Sequence, residues 1–231
     1  MPKMSLQSGW ASVSEWGMKL FRFRYSPYAR KVQAALDWLG MSYELIEVSY
    51  GDRDELARLT GGYIYVPVLL TDRGQVLHDS RVICEHLTQD ERGAALLPAP
   101  LEGPIWAYHD WADGTLEDVM FRIASPAVRD AWPTAGERAL YVLIKERKFG
   151  AGCVDAWRRD QEQLIARARL LLEPSLRTLR QRPFLFGARP TLADAALYGN
   201  CLMLEEVDPE LLPRISRELV EFAERARSAQ A

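Results

Sequence analysis

Cysteine is scarce in this sequence, with three residues among 231. Cys84, Cys153 and Cys201 are widely spaced and odd in number, so they cannot form a disulfide framework. Few cysteines without a pairing pattern favour a reducing compartment. We therefore expect a cytoplasmic protein.

Long apolar runs are also missing. No stretch approaches the roughly 18 residues that a membrane-spanning helix needs, so no membrane association is expected. Residues 1–17 lack a basic start followed by an apolar core. This pattern predicts a loosely ordered N-terminal extension rather than a signal peptide.

The sequence also lacks a large excess of positive or negative charge. The 29 Lys and Arg nearly balance 32 Asp and Glu, which gives a net charge of −3. Basic side chains alternate with acidic ones, as in 221–227, a pattern typical of a solvated helix face rather than a nucleic-acid surface. His78, His86 and His109 do not have metal-ligand spacing, so we expect neither nucleic acid nor metal as a partner.

The first half of the chain shows strand and helix patterns in alternation. Apolar and basic residues alternate over 19–24, helical spacing follows over 29–39, and a second strand is predicted over 43–48. Pro27 suits a first helical turn and Gly40 a helix end. The order predicts a βαβ unit with parallel strands.

The next segments complete a small α/β domain over residues 18–92. They predict a short helix, a hairpin and a last helix, over 52–59, 66–70 with 75–77, and 81–87. We expect Ser80 to cap the last helix. The result is a mixed four-stranded sheet with helices.

A proline- and glycine-containing linker is predicted over 93–104, and strand patterns end there. The remainder, 105–231, is predicted to be all-helical. The expected helices are 105–122, 137–148, 154–179, 193–203 and 215–227. Pro174 predicts a kink or a shifted register in the third of them.

Several short motifs occur in an order that is characteristic as a set. A Ser-Pro-Tyr-Ala stretch at 26–29 separates the first strand from the first helix, a Val-Pro pair at 66–67 opens the third strand, and an Asp-Ser pair at 79–80 starts the helix after the hairpin. Together with the capping motif at 189–194, they resemble the cytosolic glutathione transferase family, in a serine-type, bacterial-like form. The resemblance covers 18–226 and implies a thioredoxin-like α/β half followed by an all-helical half.

The resemblance gives Ser26 a catalytic role. Its hydroxyl would donate a hydrogen bond to the thiolate of bound glutathione, at a helix N-terminus that also favours an anion. Ser26 would be a donor and not a nucleophile, and the alternative is a plain helix cap. Tyr25 is a second candidate, with strand-end packing as its alternative. Ser26 and Ala29 leave no Cys-x-x-Cys pair, which disfavours thiol–disulfide exchange.

The resemblance also implies a glutathione-binding set. The main chain of Val66, before a cis Pro67, would pair with the cysteinyl part of glutathione. Asp79 and Ser80 would hold its γ-glutamyl end, although Asp is one methylene shorter than the family's usual Glu or Gln. Glutathione is the expected co-substrate.

An electrophile pocket is expected between the two halves. Its candidate residues are aromatic or apolar, namely Tyr28, Trp106, Tyr108, Trp111, Met120 and Phe121. Aromatic residues at helical spacing also suit a core. Arg30 and Arg53 could meet glutathione carboxylates or simply be solvated.

The cysteines are weaker candidates for a functional role. Cys84 and Cys201 lie in apolar helical contexts and are expected to be buried. Cys153 follows a glycine-containing loop at 149–152 whose role the family pattern does not explain. It is either a buried side chain or an exposed thiol near the cleft.

The predicted function is conjugation of glutathione to a small apolar electrophile, with detoxification as the typical setting. Peroxide reduction, isomerisation and dehalogenation would use the same site and stay open. A non-catalytic binding or scaffold protein with the same fold is the alternative of another class. The resemblance also implies a homodimer.

Overall fold

The computed structural model describes residues 17–229. The extension predicted for residues 1–17 lies outside them, apart from Gly17. Four strands form one mixed sheet in the order β2-β1-β3-β4: β1 Lys19–Arg22, β2 Glu44–Glu47, β3 Val68–Leu70 and β4 Val76–His78. β1 is parallel to β2 and antiparallel to β3, and β3 is antiparallel to β4. The predicted parallel pair and hairpin are confirmed.

Three helices accompany the sheet: α1 Pro27–Trp38, α2 Asp54–Thr60 and α3 Ser80–Leu87. Pro27 occupies the first turn of α1, where its missing N–H costs nothing. Gly40 follows the end of α1 with φ 63°, a conformation that glycine adopts without strain. Both local predictions are confirmed.

The second half is entirely helical within the described residues. Its helices are α4 Glu102–Trp111, α5 Glu117–Ala131, α6 Ala135–Phe149, α7 Cys153–Arg159, α8 Gln161–Leu179, α9 Leu192–Val207, α10 Leu211–Ile215 and α11 Arg217–Arg227. A π-helical turn, Ala112–Leu116, joins α4 to α5. Among residues 17–229, no helix has both the length and the apolar character required to cross a bilayer.

Several predicted boundaries were wrong. The first helix of this half does not end at 122 but continues as α5 past Pro126, because buried residues such as Ile123 and Val128 extend its core-facing stripe. The predicted helix 154–179 is two helices that meet at Asp160. Pro174 lies inside α8, which continues to Leu179.

Helices α1 and α9 hold the two halves together. At Gly199 of α9, an added Cβ would lie 2.4 Å from the carbonyl oxygen of Pro27 and 3.0 Å from the backbone nitrogen of Lys31. The two helix backbones therefore approach as closely as a glycine permits. This contact places the N-terminus of α1 between the sheet and the helical half.

The predicted capping motif at the start of α9 is confirmed. Thr191 and Asp194 form a reciprocal capping box. Asp194 is fully buried and accepts hydrogen bonds from the backbone N–H groups of Leu185 at 2.8 Å and Thr191 at 2.9 Å. Burial raises the pKa of Asp194 to about 6. These bonds fix the loop before α9, so the motif is structural, as expected.

Candidate active site

A cavity of about 460 Å³ opens between the two halves of the molecule. One wall is formed by the loop after β1, the start of α1 and the segment before Pro67; the other is formed by α5 and α6. The lining includes Phe23, Ser26, Tyr28, Arg53 and Val66 on the first wall and Glu117, Phe121, Lys145, Lys148 and Phe149 on the second.

Ser26 lies where the first wall meets α1. Its Oγ accepts a hydrogen bond from the N–H of Ala29 at 3.3 Å, so it caps the helix. The residue is only partly buried and lines the cavity. Accepting one bond leaves the hydroxyl proton available for a ligand. Capping and ligand binding are therefore compatible in one side chain.

Tyr25 lines the cavity as part of an aromatic cluster. Its ring packs edge-on against Trp132, with centroids 4.7 Å apart. Burial raises the pKa of Tyr25, so its phenol remains protonated. The packing agrees with the alternative in which Tyr25 is a strand-end aromatic residue.

The peptide bond between Val66 and Pro67 is cis, as the resemblance implied. Val66 lines the cavity and precedes β3. Among residues 17–229, neither its N–H nor its C=O takes part in a hydrogen bond. This main chain can therefore pair with an extended peptide-like ligand.

The start of α3 differs from the prediction in one respect. Asp79, at φ 74°, is the residue that caps the helix, by accepting from the N–H groups of Arg81 at 2.8 Å and Val82 at 3.4 Å. Ser80 is the buried first residue of the helix and not its cap. In the described part of the chain, the Ser80 hydroxyl makes no hydrogen bond. The shorter Asp side chain suits the cap because it reaches back to the first turn.

Of the six candidates for the electrophile pocket, only Tyr28 and Phe121 line the cavity. Trp106, Tyr108 and Trp111 are absent from its lining. The guanidinium of Arg81 covers the Trp106 ring at 3.7 Å. The Tyr108 hydroxyl forms a 2.9 Å hydrogen bond with Ser175, and the Tyr108 ring packs on Trp111. The aromatic residues of α4 are therefore occupied by packing, which corrects the prediction.

The helical wall comes instead from α5 and α6. Phe121 lines the cavity, whereas its neighbour Met120 is fully buried in the core. Glu117, Lys145 and Lys148 were missed by the sequence reasoning. Glu117 and Phe121 are spaced i, i+4 on α5, and Lys145 and Lys148 i, i+3 on α6, but such spacing alone does not show which face meets a cleft.

Burial shifts the ionisation of two groups on this wall. It raises the pKa of Glu117 to about 7 and lowers the pKa of Lys145 to about 8. Each change disfavours the charged form in a partly dehydrated cavity. Shifted pKa values that cluster in a cleft are typical of functional sites.

The two arginines proposed for glutathione carboxylates have different surroundings. Arg30 forms an ion pair with Glu206 and lies outside the cavity lining. Arg53 lines the cavity and donates to the carbonyl oxygens of Tyr50 at 3.3 Å and Ile64 at 3.1 Å. Only Arg53 is placed to meet a ligand in the cavity.

All three cysteines are buried, as expected for Cys84 and Cys201. Cys153 begins α7 and is buried as well, so the alternative of an exposed thiol near the cleft is wrong. Within residues 17–229, no group of three or more His, Cys, Asp or Glu side chains could hold a metal ion.

Comparison with known protein families agrees with this architecture. A family profile described as "Glutathione S-transferase, N-terminal domain" matches residues 20–95, and one described as "Glutathione S-transferase, C-terminal domain" matches residues 126–228. The chain belongs to the glutathione transferase family. The predicted fold class, a thioredoxin-like half followed by an all-helical half, is confirmed.

Individual relatives are more distant. A probable glutathione S-transferase of Nicotiana tabacum is 34% identical over 146 residues, which cover 58% of this chain and 63% of the relative. Glutathione S-transferase omega-1 of Sus scrofa is 27% identical over 86 residues, 37% of this chain and 36% of the relative. The matched stretches thus span less than two thirds of either relative.

Solved structures share the fold at low sequence identity. A glutathione S-transferase of Ceriporiopsis subvermispora, in complex with glutathione, aligns with a TM-score of 0.76 and 16% identity over 92% of this chain and 96% of that chain. Glutaredoxin 2 of Salmonella typhimurium, also in complex with glutathione, aligns with a TM-score of 0.68 and 19% identity over 92% and 95%. At this identity the likeness establishes the fold.

Proposed function

We propose that this protein binds glutathione on the first wall of the cavity and conjugates it, through its sulfur atom, to a small electrophile. The observation that carries the proposal is the position of Ser26, whose hydroxyl can donate into the cavity at the N-terminus of α1. The remaining contacts would come from the start of α3 at Ser80 and from the main chain of Val66, which makes no hydrogen bond within residues 17–229. The relatives and the glutathione-bound neighbours support the same assignment.

The chemistry depends on the ionisation of the glutathione thiol. A free thiol has a pKa of about 8.5, and only the thiolate is a good nucleophile. A hydrogen bond from Ser26 and the positive end of α1 both favour the thiolate. The sulfur then forms a bond to an electrophilic carbon, while the leaving group departs with the electron pair and the thiol proton passes to solvent.

The test compares Ser26→Ala with Tyr25→Phe. Ser26→Ala should raise the pKa of bound glutathione by about two units, worth roughly 2.7 kcal/mol, while glutathione still binds. Tyr25→Phe should leave that pKa unchanged. The ultraviolet absorbance of the bound thiolate, followed against pH, measures both. Loss of the cap also costs about 1 kcal/mol of stability, so urea unfolding is measured in parallel.

Calorimetric titration with reduced glutathione checks the premise. One saturable site per chain supports the transferase. An unchanged thiol pKa in Ser26→Ala would remove Ser26 from the mechanism, and no binding at two temperatures would favour the scaffold alternative. The homodimer stays a prediction, which sedimentation can check.

A further inference from the structure

The helical wall of the cleft carries two lysines that no carboxylate neutralises. Lys145 and Lys148 both line the cavity. In the part of the chain that the structure describes, no carboxylate oxygen lies within 4.0 Å of either ammonium nitrogen. Arg122, on the same side of the molecule, is instead paired with Asp118 at 2.8 Å. Glu117 of the same lining acts on both ammonium groups only at longer range, so neither has a countercharge in contact with it.

Among residues 17–229, no side-chain or backbone oxygen accepts a hydrogen bond from Lys145, and its surroundings are aromatic. Its ammonium nitrogen lies 4.7 Å from the Phe121 ring centroid and 4.9 Å from the Tyr141 ring centroid. Aromatic faces attract a cation but are weak acceptors. Burial already lowers the pKa of Lys145 to about 8, so its charge is poorly solvated. A bound anion would supply the missing partner.

The surroundings of the two lysines are apolar. Phe23, Phe121, Ile144 and Phe149 line the same cavity. A ligand that fills it would therefore join an apolar part to a small acidic group. This combination adds an acidic group to the small, largely apolar electrophile that the sequence predicted.

Glutathione itself has its own partners on the opposite wall. Val66 and Arg53 line that wall, and Ser80, outside the cavity lining, belongs to the same half of the chain. Arg53 is anchored there by the carbonyl oxygen of Ile64 at 3.1 Å. A sulfur atom at Ser26 would face across the cavity towards α5 and α6. The two lysines are thus placed to meet what becomes attached to that sulfur.

We propose that Lys145 and Lys148 form an anion-binding subsite for the second substrate, so that the preferred electrophile carries a carboxylate or a similar acidic group. The inference rests on the proposed function, because it assigns the second substrate of the same reaction. Two acidic residues, Glu117 and Asp118, also line the cavity. Asp118 is paired with Arg122, and burial raises the pKa of Glu117 to about 7. A partly protonated Glu117 repels a ligand anion less than a fully ionised carboxylate would.

Two glutathione conjugates that mimic products test the subsite without requiring turnover. S-benzylglutathione and S-(4-carboxybenzyl)glutathione differ only in the carboxylate. Calorimetry on the full chain should give a Kd about tenfold lower for the carboxylated conjugate. The Lys145→Met, Lys148→Met double variant should lose this preference and keep the Kd of reduced glutathione. Lys145→Arg should retain the preference, because it keeps the charge.

Different failures point to different causes. If wild-type protein binds glutathione but both conjugates equally, the subsite is overturned and the proposed function stands. If the double variant weakens glutathione and both conjugates alike, the lysines bind glutathione's own carboxylates, which also overturns the subsite. If neither glutathione nor conjugates bind, both proposals fail. Should the double variant not fold, Lys148→Met alone, at an exposed position, must still reduce the preference.

Discussion

The two halves of this molecule meet at two places where lysine side chains have different surroundings. One is a polar cluster around Lys31, and the other is the cavity that contains Lys145. At the contact between α1 and the α4–α5 region, Lys31 is 1% exposed and bonds both His109, at 2.8 Å, and the carboxylate of Asp113. His109 is also bonded to Asp110 at 3.0 Å. Since an ammonium group only donates, Nε2 of His109 accepts and Nδ1–H donates to Asp110.

The cavity a short distance away has the reverse arrangement. Lys145 has aromatic neighbours and Glu117 is a carboxyl with a raised pKa, and the two are not joined as an ion pair within 4.0 Å. Buried groups that satisfy one another hold a structure together, whereas charged groups in a cleft that have no countercharge in contact with them indicate a ligand. The comparison separates a structural polar cluster from a candidate binding site.

The largest effect is expected where the paired cluster is broken. Asp113→Asn leaves the Lys31 ammonium buried without a countercharge, which should lower the free energy of unfolding by about 3 kcal/mol. Urea unfolding at pH 7 measures this loss. Glu221→Gln is the control, because its pair with Arg217 is exposed and should contribute less than about 0.5 kcal/mol. Equal losses in both variants would show that the cluster does not bind the halves together.

A second way to break the same contact is steric. Gly199→Ala would place a Cβ 2.4 Å from the carbonyl oxygen of Pro27, so α9 must shift away from α1. We expect a loss of about 2 kcal/mol in urea unfolding. Gly103→Ala in α4 is the matched control, because nothing lies within 4 Å of its added Cβ and alanine favours the helix.

A Gly199→Ala protein as stable as wild type would mean that the α1–α9 contact can relax. The shift of α1 would then change glutathione binding rather than stability, because Ser26 lies at the start of α1. Glutathione binding measured on the same variant distinguishes these two outcomes.

Local sequence patterns predicted much of the fold. The parallel pair of β1 and β2, the cap of α1 by Ser26 and the capping box at Thr191 and Asp194 depend on residues close together in the chain. Boundaries such as the break at Asp160 could not be predicted, because the helical pattern continues on both sides of it. The cap of α3 was assigned to Ser80 instead of Asp79 for a related reason, since two adjacent residues could each cap the same helix.

The candidate site was predicted mainly on one wall, with Phe121 the one candidate found on the other. Ser26 and Val66 were identified through motifs in consecutive residues, and both line the cavity. The opposite wall depends on how α5 and α6 pack, which is a matter of contacts between distant segments. Aromatic residues of α4 were therefore chosen in place of Glu117 and Lys145. Periodicity shows that a helix has faces but does not assign each face to a cavity or a core.

The smallest effect should appear at the unpaired lysine, and it should have the opposite sign. Lys145→Met keeps an unbranched side chain at this position but removes a poorly solvated charge beside the Phe121 and Tyr141 rings. We expect the free energy of unfolding at pH 7 to rise by about 1 kcal/mol. Gains of this size are common when a destabilising side chain of a functional site is replaced. Lys148→Met, at an exposed position, should change it little.

The pH dependence identifies the cause of this gain. The pKa of Lys145 is about 8 in the folded chain and about 10.4 in the unfolded chain, so the unfolded chain holds more protons between these values. Wild-type stability should therefore increase relative to Lys145→Met as pH rises from about 8 to about 10, and the advantage of the variant should vanish. Urea midpoints of both proteins across this range measure the difference. If Lys145→Met is instead less stable than wild type at pH 7, the ammonium is held by its aromatic neighbours as part of the structure. Lys145 would then have a structural role like that of Lys31, and the difference between the two sites would be lost.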